Sequence, residues 1–168
     1  MQAEDRRRTI LKILQESAQP VSASVLAGQL SVSRQIIVGD IALLRAGGLD
    51  IAATPRGYLL PRPTPGLTRQ LACVHRPEDM GRELELMVDN GCTVVDVIVE
   101  HPLYGQLTGS LQLSTRAEVE QFMARSLTTQ PLSALTGGIH LHTLLCPDEA
   151  AFQRVREALR QEDILLED

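Results

Sequence analysis

The chain has 168 residues and a net charge of −5, which allows one or two small domains. With no Trp, two Tyr and two Phe, its cores must be built from Leu, Val, Ile and Ala. Three scattered cysteines, Cys73, Cys92 and Cys146, form neither a disulfide framework nor a Cys-x-x-Cys metal motif, and with no signal segment or long apolar run the expectation is a soluble, cytoplasmic protein with no membrane partner.

Residues 1–60 carry seven Lys/Arg against five Asp/Glu, or +2; residues 61–168 carry nine against sixteen, or −7. Nucleic acid would therefore be met by the first part. Ile10, Leu11, Ile13 and Leu14 predict a helix from Asp5 to Ser17, ended before Pro20. Ser22 can cap a short helix through Val25, Leu26 and Leu30. Ser33 can cap a third, with Ile37, Ile41 and Leu44 on its apolar face, running to Ala46 and stopping at Gly47-Gly48. Two helices joined so tightly read as helix-turn-helix. Ile51-Ala52-Ala53 and Tyr58-Leu59-Leu60 flank Thr54-Pro55-Arg56-Gly57 as a hairpin, the wing. Asp40 is expected to face inward or to pair with Arg45. Gly39 is a poor helix residue without an evident reason.

The order Ser33-Arg34, Ile37, Asp40-Ile41, Leu44-Arg45, Gly48, Ile51, Ala53, Arg56-Gly57-Tyr58 resembles the winged helix-turn-helix of bacterial repressors. That resemblance implies that the third helix enters the major groove. Arg34 and Gln35 then stand at base edges, where Arg suits guanine and Gln adenine. Arg56, at the wing tip, suits a phosphate or the minor groove. The plain alternative for each is a solvated surface side chain.

Pro61-Arg62-Pro63-Thr64-Pro65-Gly66 is a stiff connector, so the expected division is 1–60, a linker at 61–66, and 67–168. In the second domain a strand is expected at Gln70–His75, a helix at Pro77–Asn90 and a β-branched strand at Cys92–Glu100. A turn through His101–Gly105 leads to a strand at Gln106–Leu113. Ser114 is expected to cap a helix through Leu127, followed by a strand at Ile139–Leu145. A last helix runs from Asp148 to Gln161, and Ile164-Leu165-Leu166 ends the chain. The pattern β-α-β-β-α-β-α predicts an α+β fold, an open-faced sandwich.

Only four histidines occur: His75, His101, His140 and His142. Alternation puts His140 and His142 on one face of their strand. Following chain direction through the elements brings His75, His101 and His140 to one end of the sheet. If the fourth strand pairs antiparallel with the first, His75 faces the His140/His142 pair. On the following helix Met80, Leu84, Met87 and Val88 form the core stripe, and Glu83 borders it, so Glu83 is the carboxylate best placed to turn inward. Three imidazoles and one carboxylate suit Zn, Ni, Fe(II) or Co. The plain alternatives are surface histidines on an amphipathic strand and a helix-surface Glu83 paired with Arg82.

These residues also carry a family resemblance. His75, Pro77-Glu78, Glu83-Leu84, Val95-Asp96-Val97-Ile98-Val99-Glu100-His101-Pro102, Tyr104-Gly105 and Gly137-Gly138 through His142-Thr143 resemble the 3H domain. With the winged helix before it, the whole chain resembles the niacin-responsive transcriptional repressors, the NiaR family. The resemblance implies an HPr-like second domain, a homodimer on operator DNA, nicotinic acid as co-repressor and control of niacin uptake and salvage. It implies a divalent metal held by His75, Glu83, His140 and His142; the resemblance does not fix which metal, and the expectation is Ni or Zn ahead of Fe or Co. His101 and Tyr104 are left over; they either bind the effector or cap a turn. The competing readings are a regulator that senses the metal itself and a metalloenzyme tethered to DNA. Against the enzyme, the chain has no His-Glu-x-x-His, Gly-x-Ser-x-Gly or P-loop.

Overall fold

In the computed structural model, which describes residues 2–168, the chain divides into two compact units between Pro63 and Thr64. The division falls inside the proline-rich segment.

The first unit holds α1 (Ala3–Glu16), α2 (Ala23–Leu30), α3 (Arg34–Ala46) and a hairpin of β1 (Ala52–Thr54) with β2 (Gly57–Leu59). Ser22 and Ser33 each accept a hydrogen bond from the amide three residues on, so both expected caps are in place. Between them Ser31 adopts the left-handed conformation that turns α2 into α3. Ile10, Leu14, Leu26, Ile37, Ile41 and Ile51 close a dry core. The hairpin is tied back by two backbone bonds between Val21 and Tyr58, of 2.8 and 2.9 Å.

Asp40 does face inward, but its partner is not Arg45. Arg6 of α1 donates to it twice, at 2.5 and 3.2 Å, and Arg7 reaches it at 3.5 Å. Arg45 lies on another side of α3, donating to the Ile51 carbonyl at 2.8 Å and standing 5.8 Å from the centre of the Tyr58 ring. The carboxylate thus fastens the first helix to the third.

The second unit holds β3 (Leu67–Val74), α4 (Met80–Asp89), β4 (Thr93–His101), β5 (Gly105–Leu113), α5 (Arg116–Ser126), β6 (Ile139–Cys146) and α6 (Glu149–Gln161). The sheet order is β3-β6-β4-β5, with every neighbouring pair antiparallel. Leu84, Met87, Val119, Phe152, Val155 and Leu159 of the three helices pack on Leu71, Val94, Leu113 and Leu144. The other sheet face, carrying Ala72, Ile98, Ile139 and Leu141, holds a shallow concavity of about 410 Å³.

Three details differ from expectation. The helix foreseen from Pro77 opens as a 3₁₀ turn, Pro77–Asp79, before α4 begins. Thr115, not Ser114, caps α5, because the Ser114 hydroxyl is engaged with that of Thr93 at 2.9 Å. Glu118 completes the cap by accepting the Ser114 amide at 2.7 Å. A further 3₁₀ helix, Leu132–Thr136, precedes β6. Beyond α6 the chain runs along the outer edge of β3. There Val74 donates to Ile164 and Leu166 donates to Ala72, both at 2.9 Å. An edge that would otherwise offer unpaired backbone groups is covered.

Candidate metal centre

Strand pairing brings the candidate residues together. On β6, alternation turns His140 and His142 toward the helices, leaving them 3% and 2% exposed. The register of β3 against β6 sets Cys73 opposite His140 and Leu71 opposite His142. His75 follows directly after β3. Glu83, in the first turn of α4, is 1% exposed and points at all three imidazoles. Its Oε2 lies 2.7 Å from His75 Nε2 and 3.3 Å from His142 Nε2; its Oε1 lies 2.8 Å from His140 Nε2. Arg82, the surface partner once open to Glu83, pairs instead with Glu162.

The far side of each ring is fixed by backbone. Nδ1 of His75, His140 and His142 donates to the carbonyls of Arg76, Gly138 and Asp96, at 2.7, 2.8 and 2.7 Å. A carbonyl only accepts, so Nδ1 carries the proton, and in a neutral ring Nε2 carries the lone pair. Three ε nitrogens are thereby presented to one carboxylate. His142 Nε2 is buried and has no hydrogen-bond partner among the described residues, its approach to Glu83 being misaligned.

Without a metal, this cluster is held by protons. Burial opposes the charge on Glu83, but attraction to His142 and hydrogen bonds from His140 and His75 outweigh it and hold the carboxyl well below its ordinary range. Burial likewise opposes charge on His75 and His142, and Glu83 outweighs it, raising both above the ordinary histidine value. The carboxylate demands positive charge in its neighbourhood. A divalent transition ion answers that demand with the donors present, and the backbone-anchored Nδ1 atoms are the orienting contacts that metal-binding histidines use.

One neighbour was not foreseen. Cys73 Sγ, a Glu83 carboxylate oxygen and a His140 ring nitrogen lie within 4.8 Å of one another. A search for Cys-x-x-Cys spacing passes over a lone cysteine. The available signal was its place two residues before His75, which puts both on one strand face.

The other candidates lie elsewhere. His101 and Tyr104 sit at the β4–β5 turn, their ring centres 5.1 Å apart. His101 Nδ1 accepts the amides of Leu103 and Tyr104 at 3.1 and 3.3 Å, so the imidazole closes its own turn. Tyr104 is 70% exposed. In the first unit Arg34 and Gln35 open α3 and are exposed. Val38 and Gly39, three and four residues after Gln35, share its outward face. Arg56 lies in the wing turn, its guanidinium reaching Gln19 Oε1 at 3.3 Å.

Residues 6–59 match the family described as "HTH domain", and residues 68–168 the family described as "3H domain". The chain is 45% identical over 167 residues to the "Probable transcription repressor NiaR" of Thermotoga maritima, covering 98% of this chain and 95% of that protein. It is 43% identical over 170 residues to the "Transcription repressor NadR" of Bacillus subtilis, covering 98% and 94%. The chain belongs to the NiaR family of transcription repressors. As a NiaR-family chain it is a regulator built on a DNA-binding helix-turn-helix, not an enzyme, which sets aside the tethered metalloenzyme. Among the described residues no helix is long and apolar enough to cross a membrane.

Proposed function

We propose that this NiaR-family repressor binds operator DNA as a homodimer, carries one divalent transition metal per chain on His75, Glu83, His140 and His142, and uses nicotinic acid as co-repressor of niacin uptake and salvage genes. The observation that carries the metal reading is the convergence of three Nε2 atoms on a buried carboxylate, each ring oriented by a backbone carbonyl. When bound, the ion supplies fixed positive charge and an acceptor site for a ligand carboxylate or pyridine nitrogen. The protein's own part is to hold the rings in one tautomer and to exclude water from Glu83.

The homodimer reading is supported by the sheet face away from the helices, where Ile139 is 50% exposed beside a half-buried Leu141. Two recognition helices would then read half-sites separated by whole turns of DNA.

The deciding experiment is calorimetry of nicotinic acid binding to the metal-loaded protein, with and without operator DNA. Linkage requires operator to tighten nicotinic acid by the factor by which nicotinic acid tightens operator. That factor should correspond to about 1–3 kcal/mol. Equal affinities would remove the co-repressor. Operator binding that responds to metal alone would leave a metal-sensing regulator.

A further inference from the structure

We propose that Cys73 is a further ligand of the metal centre, giving it a sulfur donor and a preference for thiophilic ions. This rests on the metal reading above.

The argument is one of placement. Cys73 is the cross-strand partner of His140, and the two side chains stand on the same, helix-facing side of the sheet. Its thiol is fully buried. Its Sγ, the Glu83 carboxylate and a His140 nitrogen lie within 4.8 Å of one another. Ligands at roughly 2.0–2.3 Å from one ion stand at most about 4.4 Å apart, so donors within 4.8 Å of one another need only a small further approach to share an ion.

A buried cysteine in an apolar core is ordinary packing. Cys73 differs in its surroundings. It borders a charged cluster that contains His142 Nε2, a buried nitrogen without a hydrogen-bond partner. The other two thiols, Cys92 and Cys146, are spent on each other at 2.6 Å. They join the start of the β4 strand to the end of the β6 strand, whereas Cys73 is level with the start of β6.

On binding, the Cys73 S–H proton leaves to solvent as the sulfur–metal bond forms; no oxidation is involved. Imidazole and carboxylate alone discriminate weakly among Zn, Ni, Co and Fe. A thiolate moves the choice toward Zn and Co and away from oxygen-seeking ions such as Mg or Mn.

The test uses Co(II) as probe on the full-length protein. The expected spectrum combines visible d–d bands, saturating at one equivalent, with a near-ultraviolet sulfur-to-cobalt charge-transfer band. Cys73→Ser should keep the visible bands and lose the near-ultraviolet one. Cys92→Ser and Cys146→Ser should keep both. One equivalent of bound cobalt without charge transfer in the wild-type protein would overturn the sulfur ligand and leave the metal centre standing. A charge-transfer band that survives Cys73→Ser would assign the sulfur elsewhere. Failure to bind cobalt at all would overturn both readings. Should Cys73→Ser not fold, X-ray absorption of the zinc-loaded wild-type protein decides: a sulfur shell at about 2.3 Å supports the ligand, and a purely nitrogen and oxygen shell excludes it.

Discussion

A side chain on Gly138 would overlap the carbonyl oxygen of His75. Gly138 sits at φ +93°, a conformation that favours glycine, and its own carbonyl receives the Nδ1 proton of His140. One bare residue therefore lets the end of β3 close on the start of β6 and also aims the His140 ring. Gly138→Ala should displace His75 and loosen His140 together. Metal affinity, read by competition with a chelator, is expected to fall about 10–100-fold, as when an orienting contact is lost. Unchanged affinity would mean that the approach of the two strands does not set the site.

Glu83 and the histidines give opposite pH signatures in the metal-free protein. Folded His75 and His142 titrate above the ordinary 6.5, so they bind protons more tightly than the unfolded chain. Their contribution to stability is complete below 6.5 and is lost as pH rises through the folded values. Glu83 titrates well below its ordinary 4.5, so its contribution is present above 4.5 and is lost as pH falls through the folded value. Metal-free protein should be most stable between those limits and soften above them. Zinc competes with the same protons, so its stabilisation should grow as pH rises. Scanning calorimetry with and without zinc checks this; parallel pH profiles would show that metal and protons do not share the site.

The exposed start of α3 should carry operator recognition. Arg34→Ala is expected to cost about 1–3 kcal/mol in operator binding and to relax discrimination at one base pair. Footprinting with operators varied at each position is the measurement. A uniform loss at every position would make Arg34 a phosphate contact.

Gly39 offers a separation of stability from recognition. Nothing lies within 4 Å of a Cβ built there, and the residue is inside α3. Gly39→Ala should therefore stabilise the helix by roughly 0.5–1 kcal/mol. Its outward face, shared with Gln35 and Val38, should at the same time meet DNA less closely, lowering operator affinity. A higher melting temperature with full operator affinity would place Gly39 outside the contact.

The open face of the second unit, apolar around Ile139 and bordered by Glu100, Gln106 and Thr136, predicts the last outcome. Ile139→Glu puts a charge among Ala72, Ile98 and Leu141 without entering the helix-facing side that holds the histidines. The variant should sediment as a monomer while still binding metal. A dimer that survives would move the contact to another surface.

Much of this architecture was legible because local rules and global fold agree. Ser22 and Ser33 announce their helices, and alternation along Ile139–Cys146 alone puts His140 and His142 together. Chain direction brings His75 to them, and helical spacing turns Glu83 inward. What escaped reading depends on pairings between distant residues. Asp40 chose Arg6, thirty-four positions away, over Arg45 on its own helix. Thr115 took the cap because Thr93, across the hairpin, engages the Ser114 hydroxyl. Cys73 joined the cluster through its register with His140, which no spacing motif encodes.

The strand segment around Leu165, bridged to Cys73, has a consequence for the order of assembly. Residues 73 and 165 are about ninety positions apart, so the ribosome makes β3 long before the segment that covers its outer edge. His140 and His142 emerge in between, and β3, which flanks β6 on one side, keeps an open outer edge until the segment around Leu165 pairs with it. Cys73 and the approach to His75 therefore lie on an edge strand until that segment docks. Pairing by Ile164 and Leu166 thus closes the sheet on that side against a second chain, the strand-to-strand route by which exposed edges aggregate.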